Sequence, residues 1–423
     1  MNIKLNYSDK VIRENNDIVY IYDKNTCKFI FISLEVYKLF LEADKEIINI
    51  GEFIKCFEDK NDKKYIEDLI IIMKDMGFID NEDYKKNINK DKFNSFDAVH
   101  LMITKRCNLK CKHCSSNCSI QEKEYLSYDS ILNILSNLEK LNVKKLIITG
   151  GEPLLRDDLF DLLKIFKKRL VNTKFSLATN ATLIDQNIDN LVHYFDEINI
   201  SIDGIDNETC SKIRGEGTFN KVINNIKKLK ESGFKNISLS MVINSYNKDF
   251  LDEFIELNNK LDTKPILRTL ISKGRAEDNI DLFDNSNRKY LSNIPTLINK
   301  KANNLTRKNI NPCSCNAFSN KLFINFDGIA YTCPSLIDDR FKIIDMTNKI
   351  LKKNEIIEAI SNKFDEFNNN YKTYKDTKCE DCVNNIFCWN CPADFIAAKD
   401  SSAINEWCDE VKLPLESIIW KSC

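Results

Sequence analysis

The middle of the chain alternates short apolar runs with amphipathic segments. From residue 98 to about 272, the spacing of apolar positions predicts strands at 98–104, 145–149, 174–179, 197–202, 237–243 and 265–270. Helical periodicity predicts helices at about 127–141, 157–169, 185–194, 218–232 and 248–260. Continuous apolar strands that alternate with amphipathic helices indicate an α/β fold, in which helices cover a parallel sheet.

The first 95 residues follow a different pattern. Two strand-like runs at 17–22 and 28–32 flank a polar turn and predict a hairpin, which a short strand near 10–14 precedes. Amphipathic segments follow at 33–41, 49–57 and 62–76. Ser33 is the predicted N-cap of the first segment, and Gly77 closes the third. Because Asn, Lys and Asp dominate residues 81–94, we predict a small separate unit that ends in a linker.

Composition and charge restrict the function classes. The chain has 423 residues, which favours two or three domains, and 43% of them are hydrophobic, as in a globular protein. With 62 basic and 63 acidic residues the net charge is -1, so no overall field favours nucleic acid. The N-terminus lacks the apolar core of a signal peptide, and no apolar run approaches the ~20 residues of a membrane helix. We therefore expect a cytoplasmic protein without a membrane span.

The chain contains sixteen cysteines, the strongest signal in its composition. In a long chain that is expected in the reducing cytosol, they indicate metal binding rather than disulfides. Cys107, Cys111 and Cys114 lie in one short loop after the first strand of the alternating region. Three thiolates from one loop suit a [4Fe–4S] cluster whose fourth iron stays open for a ligand. The spacing alone leaves a zinc or ferredoxin-type site as the alternative.

The spacing Cys-x3-Cys-x2-Cys, with the ring of His113 before the last cysteine, resembles the signature of the radical S-adenosylmethionine (SAM) enzymes. The resemblance implies a partial (β/α)6 TIM-type barrel, with the chemistry on loops at the carboxyl ends of the strands. It also implies that the loop cluster gives one electron to SAM. The resulting 5′-deoxyadenosyl radical would then remove a hydrogen atom from a substrate held nearby.

Residues at the ends of the next predicted strands match the same family pattern. The second strand ends in Gly150, Gly151, Glu152 and Pro153; in the family this loop grips the methionine amino group of SAM, and glycines let a backbone approach a ligand. By resemblance the cofactor site also contains Thr179, Asn180, Ser201, Asp203 and Arg214. Ser201 and Asp203 would lie near the ribose or the methionine carboxylate, and Arg214 could pair with a carboxylate. Each residue alone also has an ordinary structural interpretation.

The C-terminal region carries eight more cysteines in a second pattern. It begins near a predicted hairpin with an Asp327-Gly328 turn, and it resembles the SPASM extension, a module with two auxiliary [4Fe–4S] clusters. The family pattern assigns one cluster to Cys313, Cys315, Cys333 and Cys391. It assigns the other cluster to Cys379, Cys382, Cys388 and Cys408. No role is predicted for Cys27, Cys56, Cys118, Cys210 and Cys423, although Cys118 and Cys423 could be reactive thiols.

Two departures from the SPASM pattern concern the first auxiliary cluster. Two residues separate Cys388 from Cys391, where the family usually has three, and Cys313 lies unusually close to Cys315. If only one cysteine of the latter pair binds iron, the cluster keeps an open iron. Such an iron could hold the thiolate of a substrate cysteine.

The N-terminal unit resembles the winged-helix recognition element of peptide-modifying enzymes, which binds a leader peptide as an added strand. The implied domains are 1–95 for leader recognition, 96–310 for the radical SAM barrel and 311–423 for the SPASM module. Together they resemble the maturases of ribosomally made peptides (RiPPs). We expect the formation of Cys thioethers, as in sactipeptide and ranthipeptide synthases. The expected partners are a Cys-rich precursor peptide, bound through its leader, and a low-potential electron donor such as ferredoxin or flavodoxin.

Other interpretations stay open. One is a different radical reaction on a peptide, such as carbon–carbon cross-linking, epimerisation or decarboxylation. Another is a non-catalytic iron–sulfur protein that transfers electrons or binds peptides, against which the complete three-cysteine loop and the Gly150-Gly151-Glu152 turn argue. The N-terminal unit could instead be an accessory or dimerisation domain. Sulfatase-maturating relatives carry a proton-accepting Asp where this chain has Pro334, which argues against that activity. The sequence identifies no catalytic acid or base.

Overall fold

The structure is a computed structural model that describes residues 2–26, 28–82, 84, 93, 95–283, 307, 310, 312, 320–370, 378–388, 393, 396 and 403–420. These residues form a small N-terminal sheet, a nine-stranded central sheet and a Cys-rich, helical C-terminal region. The predicted α/β fold class, with its central parallel sheet, is confirmed.

The N-terminal unit combines an antiparallel sheet with three helices. The strands β1 (Lys10–Asn15), β2 (Ile18–Asp23) and β3 (Phe29–Ser33) pair in chain order. The helices span Leu34–Lys45, Ile50–Lys55 and Lys60–Asp75. The Ser33 hydroxyl accepts a hydrogen bond from the Val36 N–H, so the predicted N-cap is confirmed.

Strand β2 is buried on both faces because two hydrophobic cores meet on this sheet. One face, with Val19 and Ile21, packs on the three helices. On the other face, the Tyr20 ring stacks on Trp420 near the end of the described chain, with ring centroids 5.5 Å apart. Phe31 stacks on Phe387 at 5.7 Å. Aromatic packing therefore fixes the N-terminal unit on the C-terminal region.

The central sheet contains six parallel strands in chain order. They are β4 (Ala98–Met102), β5 (Lys145–Thr149), β6 (Lys174–Thr179), β7 (Glu197–Ser201), β8 (Ile237–Ile243) and β9 (Lys264–Thr269). The connecting helices are Tyr128–Leu138, Leu159–Arg169, Ile188–Tyr194, Asn207–Arg214, Thr218–Glu231 and Leu251–Leu261. Short 3-10 helices lie at Glu139–Leu141, Pro153–Leu155, Ile184–Gln186, Lys248–Phe250 and Asp339–Phe341.

The sequence pattern did not predict the helix Asn207–Arg214. The helix is short and offers few apolar positions, so its periodicity is weak. Its N-terminus carries a capping box, in which Asp206 and Thr209 bond to each other's backbone N–H groups. That local pattern is the signal that could have found the helix.

Three further strands extend the sheet beyond β4. Strand β10 (Lys321–Ile324) pairs in parallel with β4, and β11 (Ile329–Tyr331) and β12 (Ile344–Asp345) add antiparallel strands. The hairpin predicted at the Asp327-Gly328 turn is confirmed, and Gly328 has a φ of +80°. The sequence grouped this hairpin with the C-terminal module, whereas it pairs with a barrel strand. A pairing so distant in sequence leaves no local pattern.

The remaining helices span Arg275–Asp278, Ile280–Phe283, Lys353–Asn370, Asn385–Cys388 and Ala403–Trp420. The last of them packs under the N-terminal sheet through Trp407, Val411 and Leu415. In the part of the chain that the structure describes, no helix combines the length and the apolar composition needed to cross a membrane.

Candidate functional site

The three-cysteine loop lies over the carboxyl end of β4 and opens into a cavity of about 590 Å³. Cys107 and Cys111 are buried and Cys114 is half-buried, and all three line this cavity. The backbone holds the loop from two sides. The Lys112 N–H donates to the Ile213 carbonyl at 2.9 Å, and the Arg275 N–H donates to the Cys114 carbonyl at 3.0 Å. The parallel sheet thus brings the predicted cysteines to one place.

The loop after β5 lies directly against the residues that lead into the cysteine loop. A Cβ at Gly150 would stand 2.6 Å from the Thr104 carbonyl oxygen, and one at Gly151 would stand 2.3 Å from the Arg106 carbonyl oxygen. Only glycine fits at these positions without moving a backbone. Both glycines line the cavity. The predicted proximity of this loop and the cysteines is therefore present in the structure.

Glu152 takes a different position from the one expected for a ligand-gripping carboxylate. It is fully buried and does not line the cavity. Its carboxylate accepts hydrogen bonds from the Thr179 hydroxyl and the Asn180 N–H, each at 2.8 Å, so it ties the β5 loop to the end of β6. Burial raises the pKa of Glu152 to about 7, although these donors favour the anion. Pro153 is also buried and starts a 3-10 helix behind the cavity wall.

Three of the four polar residues predicted at the ends of β6 and β7 face the cavity. Thr179, Asn180 and Ser201 all line it. The Asn180 side-chain amide donates to Asn108 Oδ1 at 2.9 Å and lies 3.8 Å from the Cys107 sulfur. Asn108 lies inside the cysteine loop, and its side chain therefore connects the loop to the sheet. The sequence prediction did not include it.

Asp203 is the centre of a buried ion network rather than a free cavity group. Its carboxylate contacts His113 Nε2 and the Arg214 guanidinium, each at 2.5 Å, and accepts from the Val242 N–H at 2.6 Å. Burial alone would raise the pKa of Asp203, but the charges of Arg214 and His113 outweigh it and lower the pKa. Asp203 does not line the cavity, whereas His113 and Arg214 do. The carboxylate therefore orients these two side chains.

Two arginines place positive charge beside the cysteine loop. The Arg214 guanidinium lies 3.9 Å from the Cys111 sulfur, and Arg275 Nε donates to the Cys111 carbonyl at 2.9 Å. Arg275 follows Gly274, where a Cβ would stand 2.7 Å from the Cys114 carbonyl oxygen. The segment after β9 therefore packs against the three-cysteine loop and helps to hold it in place. It was missed because no spacing links it to the cysteines.

The donor set of this cavity fits a [4Fe–4S] cluster with three protein ligands. Three thiols converge, cations that offset thiolate charge stand beside them, and no Asp or Glu side chain is among the described lining residues. Within the described residues, no group of three or more His, Cys, Asp or Glu side chains is close enough to surround a single ion. Cys118 also lines the cavity, although the sequence assigned it no role.

Four of the predicted C-terminal ligands line a second, much smaller cavity, the C-terminal cavity. Cys379, Cys382, Cys388 and Cys408 surround it together with Trp407, whose Nε1–H donates to the Cys388 sulfur at 3.3 Å. Burial first, and then the three neighbouring thiols, raise the pKa of Cys388 to about 12. The cavity has a volume of about 20 Å³, and its four thiols match in number the protein ligands of a fully ligated [4Fe–4S] cluster.

The other predicted auxiliary ligands are not brought together by the described residues. Cys313, Cys315 and Cys391 lie outside them. Cys333 is half-buried, and its sulfur accepts from the Ser335 N–H at 3.4 Å. Of the cysteines without a predicted role, Cys56 is exposed and Cys210 is buried, whereas Cys27 and Cys423 lie outside the described residues.

Comparisons with known sequences find relatives of the central part of the chain. Residues 101–257 match the family described as the radical SAM superfamily. A probable GTP 3′,8-cyclase of Archaeoglobus fulgidus is 33% identical over 177 residues, which cover 41% of this chain and 59% of that protein. Mycofactocin maturase MftC of Mycolicibacterium smegmatis is 31% identical over 178 residues, or 42% of this chain and 45% of that protein. The chain thus spans about half the length of these curated relatives.

Solved structures share the fold over a longer stretch. Streptococcus suis SuiB bound to S-adenosylmethionine has a TM-score of 0.53 at 16% identity, covering 95% of this chain and 98% of that one. SuiB bound to its precursor peptide SuiA also scores 0.53 and covers 94% and 97%. The structure of anSMEcpe with bound AdoMet scores 0.52 at 16% identity and covers 76% and 99%. At these identities the likeness concerns the fold alone.

Proposed function

We propose that this chain is a radical SAM enzyme that modifies a ribosomally made peptide, joining a cysteine sulfur of that peptide to a carbon of another residue. The observation that carries the proposal is the meeting of Cys107, Cys111 and Cys114 with Gly150 and Gly151 at one cavity. The radical SAM match over residues 101–257 supports the cofactor chemistry. The fold similarity with SuiB over 95% of the chain supports the peptide substrate.

The cavity residues have distinct tasks in this proposal. Cys107, Cys111 and Cys114 hold the cluster, and the Arg214 charge offsets the charge of their thiolates. When bound, the cluster and SAM supply a carbon-centred radical that removes a hydrogen atom from the substrate. Gly150 and Gly151 let the β5 loop approach SAM closely, while Thr179, Asn180 and Ser201 bind its polar groups. Glu152 and Asp203 do not line the cavity; they orient the side chains that hydrogen-bond to them.

The N-terminal unit offers a place for a peptide strand. Strand β3 pairs only with β2 among the described residues, so one of its edges is open. The Asp23 N–H bonds to the Lys28 carbonyl, and antiparallel alternation then turns the N–H and C=O groups of Phe29 and Phe31 outward. An extended leader could pair with that edge. The proposed domains remain 1–95 for leader recognition, 96–310 for the barrel and 311–423 for the SPASM module.

The C-terminal cysteines supply an electron acceptor in this proposal. A thioether forms when a cysteine loses its S–H hydrogen and the partner carbon loses a C–H hydrogen. One hydrogen atom ends in 5′-deoxyadenosine, and the other leaves as a proton and an electron. Cys379, Cys382, Cys388 and Cys408 would hold an auxiliary cluster that accepts this electron. Cys313, Cys315, Cys333 and Cys391 would hold the other one, and a ferredoxin or flavodoxin would supply the initial reductant.

The test is an anaerobic reaction of the reconstituted protein with SAM, a reductant and the Cys-rich peptide encoded beside its gene. We expect a loss of two hydrogens per cross-link by mass spectrometry, and the linked cysteines should no longer react with an alkylating agent. Deoxyadenosine release with an unchanged peptide would contradict thioether synthesis on that peptide. A parallel reaction with GTP as the substrate tests for the cyclase activity that the names of the cyclase relatives give. Conversion of GTP would overturn the peptide proposal.

A further inference from the structure

The cavity wall carries an arginine that neither the cofactor site nor the ion networks use. Arg268 lies on β9 and lines the cavity together with Leu267 and Leu270. Its side chain is exposed, yet the protein surrounds it closely enough that desolvation lowers its pKa. Among the described residues, no acidic side chain forms an ion pair with it; the nearest relevant carboxylate, Asp203, is already occupied by Arg214 and His113.

The position of Arg268 separates it from the residues proposed for SAM. Those residues follow β5, β6 and β7, and Arg268 lies on β9, where it pairs in register with Val242 of β8. Strands in a sheet stand about 4.8 Å apart, so β9 is roughly 14 Å from β6 along the sheet. Arg268 thus lies three strands from Thr179 on β6 and two strands from Ser201 on β7, on the side of the cavity away from the β5 loop.

Further cations lie deeper in the barrel, below Arg268. Burial lowers the pKa of the His100 imidazole, on β4, to about 4. The positive charges of Arg268, Lys321 and Lys145 contribute to this lowering. At neutral pH His100 is therefore neutral and does not add to the charge. Lys145 is paired with Glu197 at 2.7 Å, whereas Lys321 has no ion pair within the described residues. Lys145 and Lys321 begin β5 and β10, at the amino ends of the strands, so among these groups Arg268 is the cation that lines the cavity itself.

We propose that Arg268 binds a carboxylate of the peptide substrate, from an Asp or Glu residue beside the attacked carbon, and so determines which residue is presented. The proposal rests on the proposed function and names the substrate feature that its site recognises. A guanidinium forms two parallel hydrogen bonds with a carboxylate, which fixes orientation as well as affinity. The carboxylate of SAM has the same chemistry, so the experiment separates the two sources.

The first experiment needs no knowledge of the natural peptide. Capped tripeptides, acetyl-Gly-Asp-Gly-amide and acetyl-Gly-Asn-Gly-amide, are titrated by NMR into the reconstituted protein with SAM bound. We expect the Asp peptide to bind about 10- to 100-fold more tightly than the Asn peptide, the range for a hydrogen bond to a charged group. Arg268→Gln should abolish this preference and Arg268→Lys should keep part of it. Equal binding of both peptides to the wild type would overturn the proposal.

The second experiment distinguishes substrate from cofactor. Arg268→Gln should leave the Kd for SAM within about twofold of the wild-type value while peptide modification falls 10- to 100-fold in kcat/KM. The matched control is Arg169→Gln, which removes a surface arginine paired with Glu139 on the outer helices. A SAM affinity that falls as much as peptide modification would assign Arg268 to the SAM carboxylate and overturn the proposal.

The two proposals can fail independently. In the precursor peptide, replacing one Asp or Glu with its amide should reduce modification by the wild type and cause no further reduction in Arg268→Gln. Additive losses at every acidic position would contradict the Arg268 contact and leave peptide modification standing. A protein that shows the Asp preference yet modifies no peptide would contradict the proposed function and leave the carboxylate site standing.

Discussion

The two described cysteine-lined cavities differ in how open they are. The cavity beneath the three-cysteine loop has a volume of about 590 Å³ and walls of both polar and apolar side chains, and two arginines stand beside its cysteine loop. The C-terminal cavity has a volume of only about 20 Å³; four cysteines, Trp407 and aliphatic side chains are among its lining residues, and it lies under the N-terminal sheet. A metal centre that reacts with a ligand needs an open position, whereas one that stores an electron or fixes a fold does not. Under the proposed function, SAM chemistry therefore belongs to the first cavity.

The largest effect is expected from removing a ligand of the open cavity. Cys111→Ser should abolish SAM cleavage and lower the iron content by about four atoms per chain, because the proposed function has three thiolates holding that cluster. Iron analysis and deoxyadenosine release measure both effects. Cys56→Ser is the matched control, since Cys56 is exposed on the N-terminal unit. Full SAM cleavage by Cys111→Ser would contradict the assignment.

Removing a cysteine of the C-terminal cavity should have a different outcome. Cys388→Ser should also lower the iron content by about four atoms, but deoxyadenosine release without peptide should continue. Cross-linked product should disappear because its electron acceptor is gone. The melting temperature should fall as well, since this cavity packs beneath Tyr20 and Phe31. If Cys388→Ser kept the first cluster but lost SAM cleavage, the two cavities would not have the separate roles that we propose.

A smaller effect is expected from the loop that closes one side of the open cavity. Gly151→Ala places a Cβ against the Arg106 carbonyl, so the loop must shift, and we expect SAM affinity to fall roughly 10- to 100-fold. Gly51→Ala is the control, because a Cβ there meets only the Asn49 side chain at 3.3 Å within a helix. Equilibrium SAM binding distinguishes them. Unchanged affinity in Gly151→Ala would remove this loop from the SAM site.

The smallest effect concerns the pH dependence of stability at the buried Glu152. Its pKa of about 7 lies above the usual value of 4.5, so the folded protein prefers the protonated carboxyl and loses stability as pH rises from about 4.5 to 7. Between pH 5.5 and 7.5 the cost should be about 2 kcal/mol, and Glu152→Gln should not show it. Urea unfolding of both proteins at the two pH values measures the difference. If the unfolding free energies of the wild type and Glu152→Gln changed equally with pH, the buried position of Glu152 would be contradicted.

The sequence predicted the central fold well because its signals are local. Six apolar strands and their helices repeat a regular pattern, and the parallel order follows from that alternation. The turn at Gly328 was likewise visible in two residues. The short helix Asn207–Arg214 and the pairing of β10 with β4 were not predicted. One is too short to show a period, and the other joins segments far apart in the chain.

The sequence predicted which residues belong to the candidate site better than it predicted how their side chains are oriented. Cys107, Cys111 and Cys114 do share a cavity with Gly150 and Gly151, because all follow strands whose carboxyl ends meet. Glu152 and Asp203 turn away from it, since each satisfies buried donors that the sequence does not reveal. Arg268 and Arg275 were missed because no spacing distinguishes them from other arginines. Side-chain direction and distant partners thus set the limit of prediction.

The comparison of the two cavities is tested most directly by electron paramagnetic resonance of the reduced protein with and without SAM. Spectra of the wild type, Cys111→Ser and Cys388→Ser would show which cluster senses SAM. We predict that SAM changes a signal that persists in Cys388→Ser and is absent from Cys111→Ser. A SAM-dependent change that persists in Cys111→Ser and disappears in Cys388→Ser would place SAM at the C-terminal cavity and contradict the proposed reactive site.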